Sequence, residues 1–305
     1  MKRDFLEITD FTKNEIAEIF ELAKQLKEKT RNKIEHHILK GQTLAMLFQK
    51  PSTRTRVSFE VGMYQLGGHA LYLNPAEVGL GKRESVADVA RVLSRFCDGI
   101  MARVFGHEIV AELARYASVP VINGLSALTH PCQIMGDMFT IIEHKGDYKD
   151  LTITYLGDGN NVANSWVNLA SKLSFSLRLG VPQGYEPDQA ILKRALAANV
   201  SKIEIIHDPV EAVRGADVVY TDVWASMGQE DEAEKRKNIF PPYQVNEALL
   251  AKAAQNVIFL HCLPAHRGDE VTDGVMDGPH SVVFDEAENR LHIQKAIMVK
   301  LMLNG

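Results

Sequence analysis

The stretch TLAMLFQKPSTRTRV, residues 43–57, passes from an unbroken apolar run into a turn crowded with hydroxyls and guanidinium groups. Residues 43–48 have the length and continuity of a strand buried on both faces, as in parallel sheets. Pro51 can open a helix and Ser52 can cap it, leaving the first backbone N–H groups free to face an anion. Ser52, Thr53, Arg54 and Thr55 add donors at that terminus. A capped, solvent-facing helix start is the other reading of these residues taken alone.

The same strand-to-helix step recurs along the chain. ALYL (70–73), GIMARV (99–104) and PVING (120–124) read as buried strands. Between them, Phe59, Met63 and Leu66 form one helical stripe, and Val86, Val89, Leu93 and Phe96 form another. A second series follows: LTITYLGD (151–158), FSLRLGV (175–181), KIEIIHD (202–208), DVVYTDV (217–223), NVIFLHCLP (256–264) and SVVFDE (281–286). A first helix is signalled by the capping box of Thr12 and Glu15, with Ile16, Ile19, Phe20, Ala23 and Leu26 at helical spacing. A last helix is expected over roughly 288–303. The pattern predicts two doubly wound parallel-sheet α/β domains. With the polar stretch IEHKGDYKD (142–150) as boundary, the division is 1–145, 146–287, and a C-terminal helix, 288–305, returning to the first domain.

The totals narrow the function classes. The chain has 305 residues, 46% hydrophobic and 24% charged, as soluble two-domain proteins do. A net charge of −5 argues against a nucleic-acid partner. No apolar run approaches the roughly 18 residues of a membrane span. The start, MKRDFLEITDF, lacks the apolar core of a signal peptide. Cys97, Cys132 and Cys262 form no CxxC pair, which points to a reducing, cytoplasmic setting.

Ligands of such sheets lie beyond the C-terminal strand ends, and the polar features obey this rule. PSTRTR follows the first strand, Arg103 closes the third, and THPCQ (129–133) comes after the fourth. GDGNN (157–161), Asp222 and HCLP (261–264) hold the same place in the second half, so one shared cleft is expected. His130 and Gln133 can grip a carbonyl oxygen and an amide. HCLPAHRG suggests a metal, but strand neighbours His261 and Cys262 should face opposite ways and no compact zinc spacing is present. No metal and no cofactor are expected. GDGNNV breaks the GxGxxG signature at Val162, which weakens a nicotinamide dehydrogenase reading. Asp222, at a strand end, can hold an ammonium group or serve as a turn residue.

STRTR, HPCQ, DVWASMG and HCLPAHRG, in this order and over nearly the whole chain, resemble ornithine carbamoyltransferase within the aspartate/ornithine carbamoyltransferase superfamily. The resemblance implies carbamoyl transfer from carbamoyl phosphate to the δ-amine of L-ornithine, giving citrulline and phosphate. It implies a first domain for carbamoyl phosphate and a second for ornithine. It places Ser52, Thr53, Arg54 and Thr55 on the phosphate, Arg103 between phosphate and carbonyl, and His130 and Gln133 on the carbamoyl group. Cys262 and the Leu263 carbonyl border the reacting centre, and Arg290 is a further carbamoyl phosphate ligand. Arg103, His130 and Cys262 are the catalytic candidates. Asn161, Asp222, Ser226 and Met227 match the ornithine site, with the SMG loop as a lid. A homotrimer, or a multiple of one, and a place in arginine biosynthesis are also implied.

Two positions depart from the family pattern. Gly79 stands where many relatives have a glutamine that reaches a neighbouring subunit, a task that passes to Lys82 or Arg83 if it survives. Ala127 stands where an acidic residue often precedes the histidine. Putrescine, aspartate or an acylated ornithine remain rival acceptors, a nucleotide-binding dehydrogenase, weakened by Val162, is the rival of another class, and a non-catalytic paralogue or binding subunit is a third.

Overall fold

The structure, a computed structural model, describes residues 2–74, 79–80, 83–225 and 230–303. The chain forms two compact units, Met1–Gly136 with Glu288–Gly305, and Asp137–Ala287. Two helices, Pro131–Lys145 and Val283–Met302, carry the chain from one unit to the other.

The first unit is built on β1 (Thr43–Phe48), β2 (His69–Leu73), β3 (Gly99–Arg103) and β4 (Val121–Leu125). These are parallel, in the order β2-β1-β3-β4. The order reverses between β1 and β3. Ala45, Leu47, Ile100, Ala102 and Val121 join Val89, Ala90 and Leu113 from the covering helices in one core. Phe59 and Met63 are wholly buried on the helix Thr53–Gln65, each worth about 2–3 kcal/mol of apolar burial. The helix Lys13–Arg31 starts at the Thr12–Glu15 capping box and buries the apolar stripe expected of it. The helix Val86–Phe96 buries Val86 and Val89, but its last residue, Phe96, turns out 75% exposed rather than joining the stripe.

The second unit holds β5 (Thr152–Leu156), β6 (Ser176–Gly180), β7 (Lys202–Ile206), β8 (Val218–Thr221) and β9 (Ile258–His261). All pairs are parallel in the order β7-β6-β5-β8-β9, with the reversal between β5 and β8. One expected strand is absent: of residues 281–286, Ser281 makes only an isolated bridge to Phe259, and a helix begins at Val283. The helical period is masked there because its buried positions are polar. Glu286, Asn289, Arg290, His292, Gln294 and Lys295 are all buried along this helix. Among the described residues no helix is long and apolar enough to cross a membrane.

Those buried polar residues place several cations inside the first unit. Lys27 Nζ donates to Asn289 Oδ1 at 2.7 Å, and His292 lies close enough to Lys295, Lys27 and Arg31 to feel their charge. Burial first, then these cations, push His292 down to about 3. Between the ordinary 6.5 and about 3 the unfolded chain therefore binds a proton that the folded chain refuses. Stability from this group is complete above pH 6.5 and is lost as the pH falls through that window, about 5 kcal/mol in all. His292→Gln should make the folded state less sensitive to acid, measured as a smaller loss of denaturation free energy between pH 7 and pH 4.5.

Candidate active site

In the first unit β1 and β3 are neighbours, with Phe48 opposite Arg103. The turn after β1 and the end of β3 thus leave the sheet together at its reversal point, where open α/β sheets place ligands. Ser52 caps the helix Thr53–Gln65: its Oγ accepts the Thr55 N–H at 3.4 Å and lies 3.2 Å from Thr55 Oγ1. Thr53 is the first helical residue and is exposed. Arg56 bonds Glu60 Oε1 at 3.0 Å and stacks over the Tyr72 ring at 4.0 Å, so it braces the helix.

Arg290 ties three of the expected residues together. Its Nη1 donates to Gln133 Oε1 at 2.6 Å and its Nη2 to Thr55 Oγ1 at 3.3 Å, all in buried surroundings. His130 is buried and held well below the ordinary histidine range, first by desolvation and then by the charges of Arg290, Arg103 and Arg54. Three guanidinium charges thus act on an imidazole that stays neutral. With the capped helix terminus they form a set of donors able to hold a dianion. Cys132, beside them in sequence, is buried with its thiol pushed up to about 12, and its Sγ donates to Asn123 O at 3.5 Å. It is packing, not chemistry.

In the second unit Thr221 lies between Leu156 and His261 in the sheet register. The residues after β5, β8 and β9 therefore emerge side by side. Asp222 is buried and accepts three hydrogen bonds: Cys262 Sγ at 3.0 Å and Val223 N–H at 2.8 Å on Oδ1, and Asn160 Nδ2 at 2.8 Å on Oδ2. A carboxylate offers about four acceptor positions, so among the described residues Oδ2 keeps one for a cation. Burial, then Asp222, raise the Cys262 thiol well above its ordinary value, so it stays a protonated donor. Asn160 also caps the helix Asn161–Ala170, its Oδ1 accepting Val162 N–H at 2.9 Å and Ala163 N–H at 3.2 Å. Asn161 is the first residue of that helix.

The loops around Asp222 are pinned from below. Arg236 Nη1 donates to Asp158 Oδ1 at 2.8 Å and to Trp224 O at 2.7 Å, and its buried guanidinium anchors the segment leading to residues 226–227. Desolvation pushes the Asp158 carboxyl up to about 6, with Arg236 opposing it. Ser226 and Met227 lie outside the described residues, as does Lys82. Leu263 takes a left-handed backbone, φ 59°, and its N–H donates to His261 Nδ1 at 2.9 Å. His261 Nε2 bonds Glu270 Oε1 at 3.1 Å, and Glu286 Oε2 accepts the His261 N–H at 2.8 Å. Burial and the adjoining Asp137 carboxyl raise Glu286 well above the usual range.

Asp222, His261 and Cys262 bring ligand atoms within 4.8 Å of one another, closer than the strand alternation suggested. Both His261 nitrogens, however, are already used, Nδ1 as acceptor from Leu263 and Nε2 toward Glu270. The Cys262 proton is held by Asp222. Cys262 and Asp222 are thus bonded to each other, while His261 is bonded to Leu263 and Glu270.

Residues 3–143 match the carbamoyl-P binding domain of aspartate/ornithine carbamoyltransferase, and residues 149–301 match the Asp/Orn binding domain. The chain belongs to the aspartate/ornithine carbamoyltransferase family. The ornithine carbamoyltransferase of Syntrophus aciditrophicus is 56% identical over 98% of this chain and 99% of its own. That of Thermococcus kodakarensis is 56% identical over 98% and 96%. The solved structure of ornithine carbamoyltransferase from Pyrococcus furiosus superposes with a TM-score of 0.95 at 53% identity, covering 100% of this chain and 98% of that one.

Of the two departures from the family pattern, that at Gly79 has a local explanation. Gly79 has φ 53° and its carbonyl accepts Arg83 N–H at 2.8 Å, while a Cβ would come within 2.8 Å of Arg83 Cβ. A glutamine there would strain the turn. Ala127 is exposed, its N–H bound to Phe105 O at 2.8 Å. Several residues that hold the site carried little sequence signal. Arg236 sits in GQEDEAEKRKN and Glu270 in HRGDE, both of which look like solvated surface; only the tertiary fold buries them.

Proposed function

We propose that this chain transfers the carbamoyl group of carbamoyl phosphate to the δ-amine of L-ornithine, releasing citrulline and phosphate. The observation that carries the reading is the Ser52–Thr55–Arg290–Gln133 network around a neutral His130 and, on the other unit, a buried Asp222 with an acceptor position to spare. Relatives named ornithine carbamoyltransferase support it at 56% identity.

Ser52, Thr53, Arg54 and Thr55 hold the phosphate at the helix terminus, with Arg103 and Arg290. His130 donates to the carbonyl oxygen, and Gln133 with the Leu263 carbonyl receives the carbamoyl NH₂. Asp222 takes the α-ammonium of ornithine; Asn161, Ser226 and Met227 complete its site. The neutral δ-amine attacks the carbonyl carbon. A C–N bond forms, the C–O bond to phosphate breaks, and the amine proton leaves with the phosphate. Negative charge grows on the carbonyl and bridging oxygens, where the arginines and His130 stabilise it. No covalent enzyme intermediate is required. Cys262, a thiol bound to Asp222, orients the acceptor rather than acting as a base.

An acceptor screen tests this reading. With carbamoyl phosphate, ornithine should be the only efficient acceptor among ornithine, N-acetylornithine, putrescine and aspartate. Preferential turnover of any of the other three would overturn it. A biosynthetic setting is supported by a 55% identical relative from Pyrococcus furiosus named the anabolic enzyme. A cytoplasmic one rests on the free Cys97, Cys132 and Cys262. The chain is further expected to act as a homotrimer or a multiple of one, covering exposed apolar residues such as Val57 and Leu71. Light scattering at micromolar concentration should give three chain masses or a multiple.

A further inference from the structure

We infer that Thr129 is a positioning residue for His130, acting through a buried knot that ties the turn before the histidine to Asn123 on β4. That role rests on the carbamoyl-transfer reading, in which the His130 imidazole donates to the carbonyl oxygen.

Residues 126–129 join the end of β4 to the helix Pro131–Lys145. The turn closes on itself: Ser126 N–H donates to Thr129 O at 2.9 Å, and Thr129 N–H to Ser126 Oγ at 3.2 Å. Those two bonds shape the turn without fixing its place on the sheet. The Thr129 hydroxyl fixes it. Thr129 Oγ1 accepts Asn123 Nδ2 at 3.1 Å and donates to Leu6 O at 3.3 Å, while Asn123 Nδ2 also donates to Leu6 O at 3.0 Å. Leu6 follows a segment that runs beside β4: Phe5 N–H donates to Val121 O at 2.8 Å, and Asn123 N–H to Phe5 O at 2.8 Å. Asn123, Ser126 and Thr129 are wholly buried, so a bond lost there is not replaced by water.

Asn123 holds the chain on both sides of the histidine. Thr129, one residue before it, is bonded to the Asn123 amide, and Cys132, two residues after it, donates to the Asn123 carbonyl at 3.5 Å. Asn123 itself pairs with Ala102 in the sheet, and the next residue of that strand is Arg103. The knot therefore sets the His130 backbone against the strand that carries Arg103. A reacting group displaced by about 1 Å can lose on the order of a hundredfold in rate, so a tether of this kind bears on turnover. Loss of the Thr129 hydroxyl still leaves Asn123 bonded to Leu6 O, which isolates the effect on the turn.

Steady-state kinetics on single and double variants test the assignment. Thr129→Val keeps the shape without the hydroxyl and should lower kcat about tenfold, with both substrate KM values within about threefold of wild type. Thr129→Ser keeps the hydroxyl and should return kcat to within about threefold. In a His130→Ala background, Thr129→Val should cost less than about twofold more, because its effect passes through the imidazole. A tenfold loss that persists in that background, wild-type kcat in Thr129→Val, or failure of serine to rescue would each overturn the inference while leaving the carbamoyl-transfer reading intact. Wild-type kcat in His130→Ala would overturn the role of His130 in the reaction, and the role of Thr129 with it. Melting curves check that each variant is folded at the assay temperature; if Thr129→Val is not, Thr129→Ala takes its place in every comparison.

Discussion

Arg54→Ala is expected to lower kcat/KM for carbamoyl phosphate by about 10²–10³-fold, with the melting temperature little changed. Arg54 stands in the first turn of the helix capped by Ser52 and is one of three arginines whose charge reaches the buried His130. Removing it deletes a charge-assisted donor where negative charge grows during transfer. The neighbour Arg56 provides an internal control. It is spent on Glu60 and Tyr72, so Arg56→Ala should keep kcat/KM within a few-fold of wild type. Steady-state kinetics on both variants decides the matter. Equal effects, or an unchanged kcat/KM for carbamoyl phosphate in Arg54→Ala, would mean that the anion seat is misassigned.

Asp222→Ala is expected to raise the ornithine KM about a hundredfold or more, and to leave the carbamoyl phosphate KM near its wild-type value. The carboxylate is buried, and its remaining acceptor position is available for an α-ammonium. Truncation also strips Cys262 and Asn160 of their partner, so a second variant separates charge from scaffold. Asp222→Asn keeps a side chain of the same shape and removes the charge. If charge recognises the acceptor, the Asn variant loses ornithine nearly as badly as Ala does. Recovery of wild-type KM by Asn would reduce Asp222 to a brace for the loop.

The strands were legible because each is a continuous apolar run ended by polar residues, and β1 falls on residues 43–48 as read. The turn after β1 was only half legible: a cap, a proline and two arginines within six residues also suit a solvated helix start, and its place at the end of a strand is what pointed to an anion seat. The start of the last helix was not, since a helix whose buried face is made of Glu286, Asn289, Arg290 and Lys295 has no apolar period to detect. Arg290 itself came from the resemblance, and the structure shows its bonds to Thr55 and Gln133. Arg236 and Glu270 stayed hidden because charged residues in polar stretches look alike whether they end in water or in a core.

By itself, then, the sequence determined the alternation of strands and helices, the parallel class that follows from it, and the polar residues that end each strand. These are local properties, written in short-range periodicity and capping. Tertiary structure decided the strand orders, which set β1 beside β3 and β5 beside β8 and so bring distant turns together. It also decided protonation. His130 is neutral and Cys262 remains a thiol because burial and neighbouring charges from remote segments weigh on them, and neither quantity exists until the chain has folded.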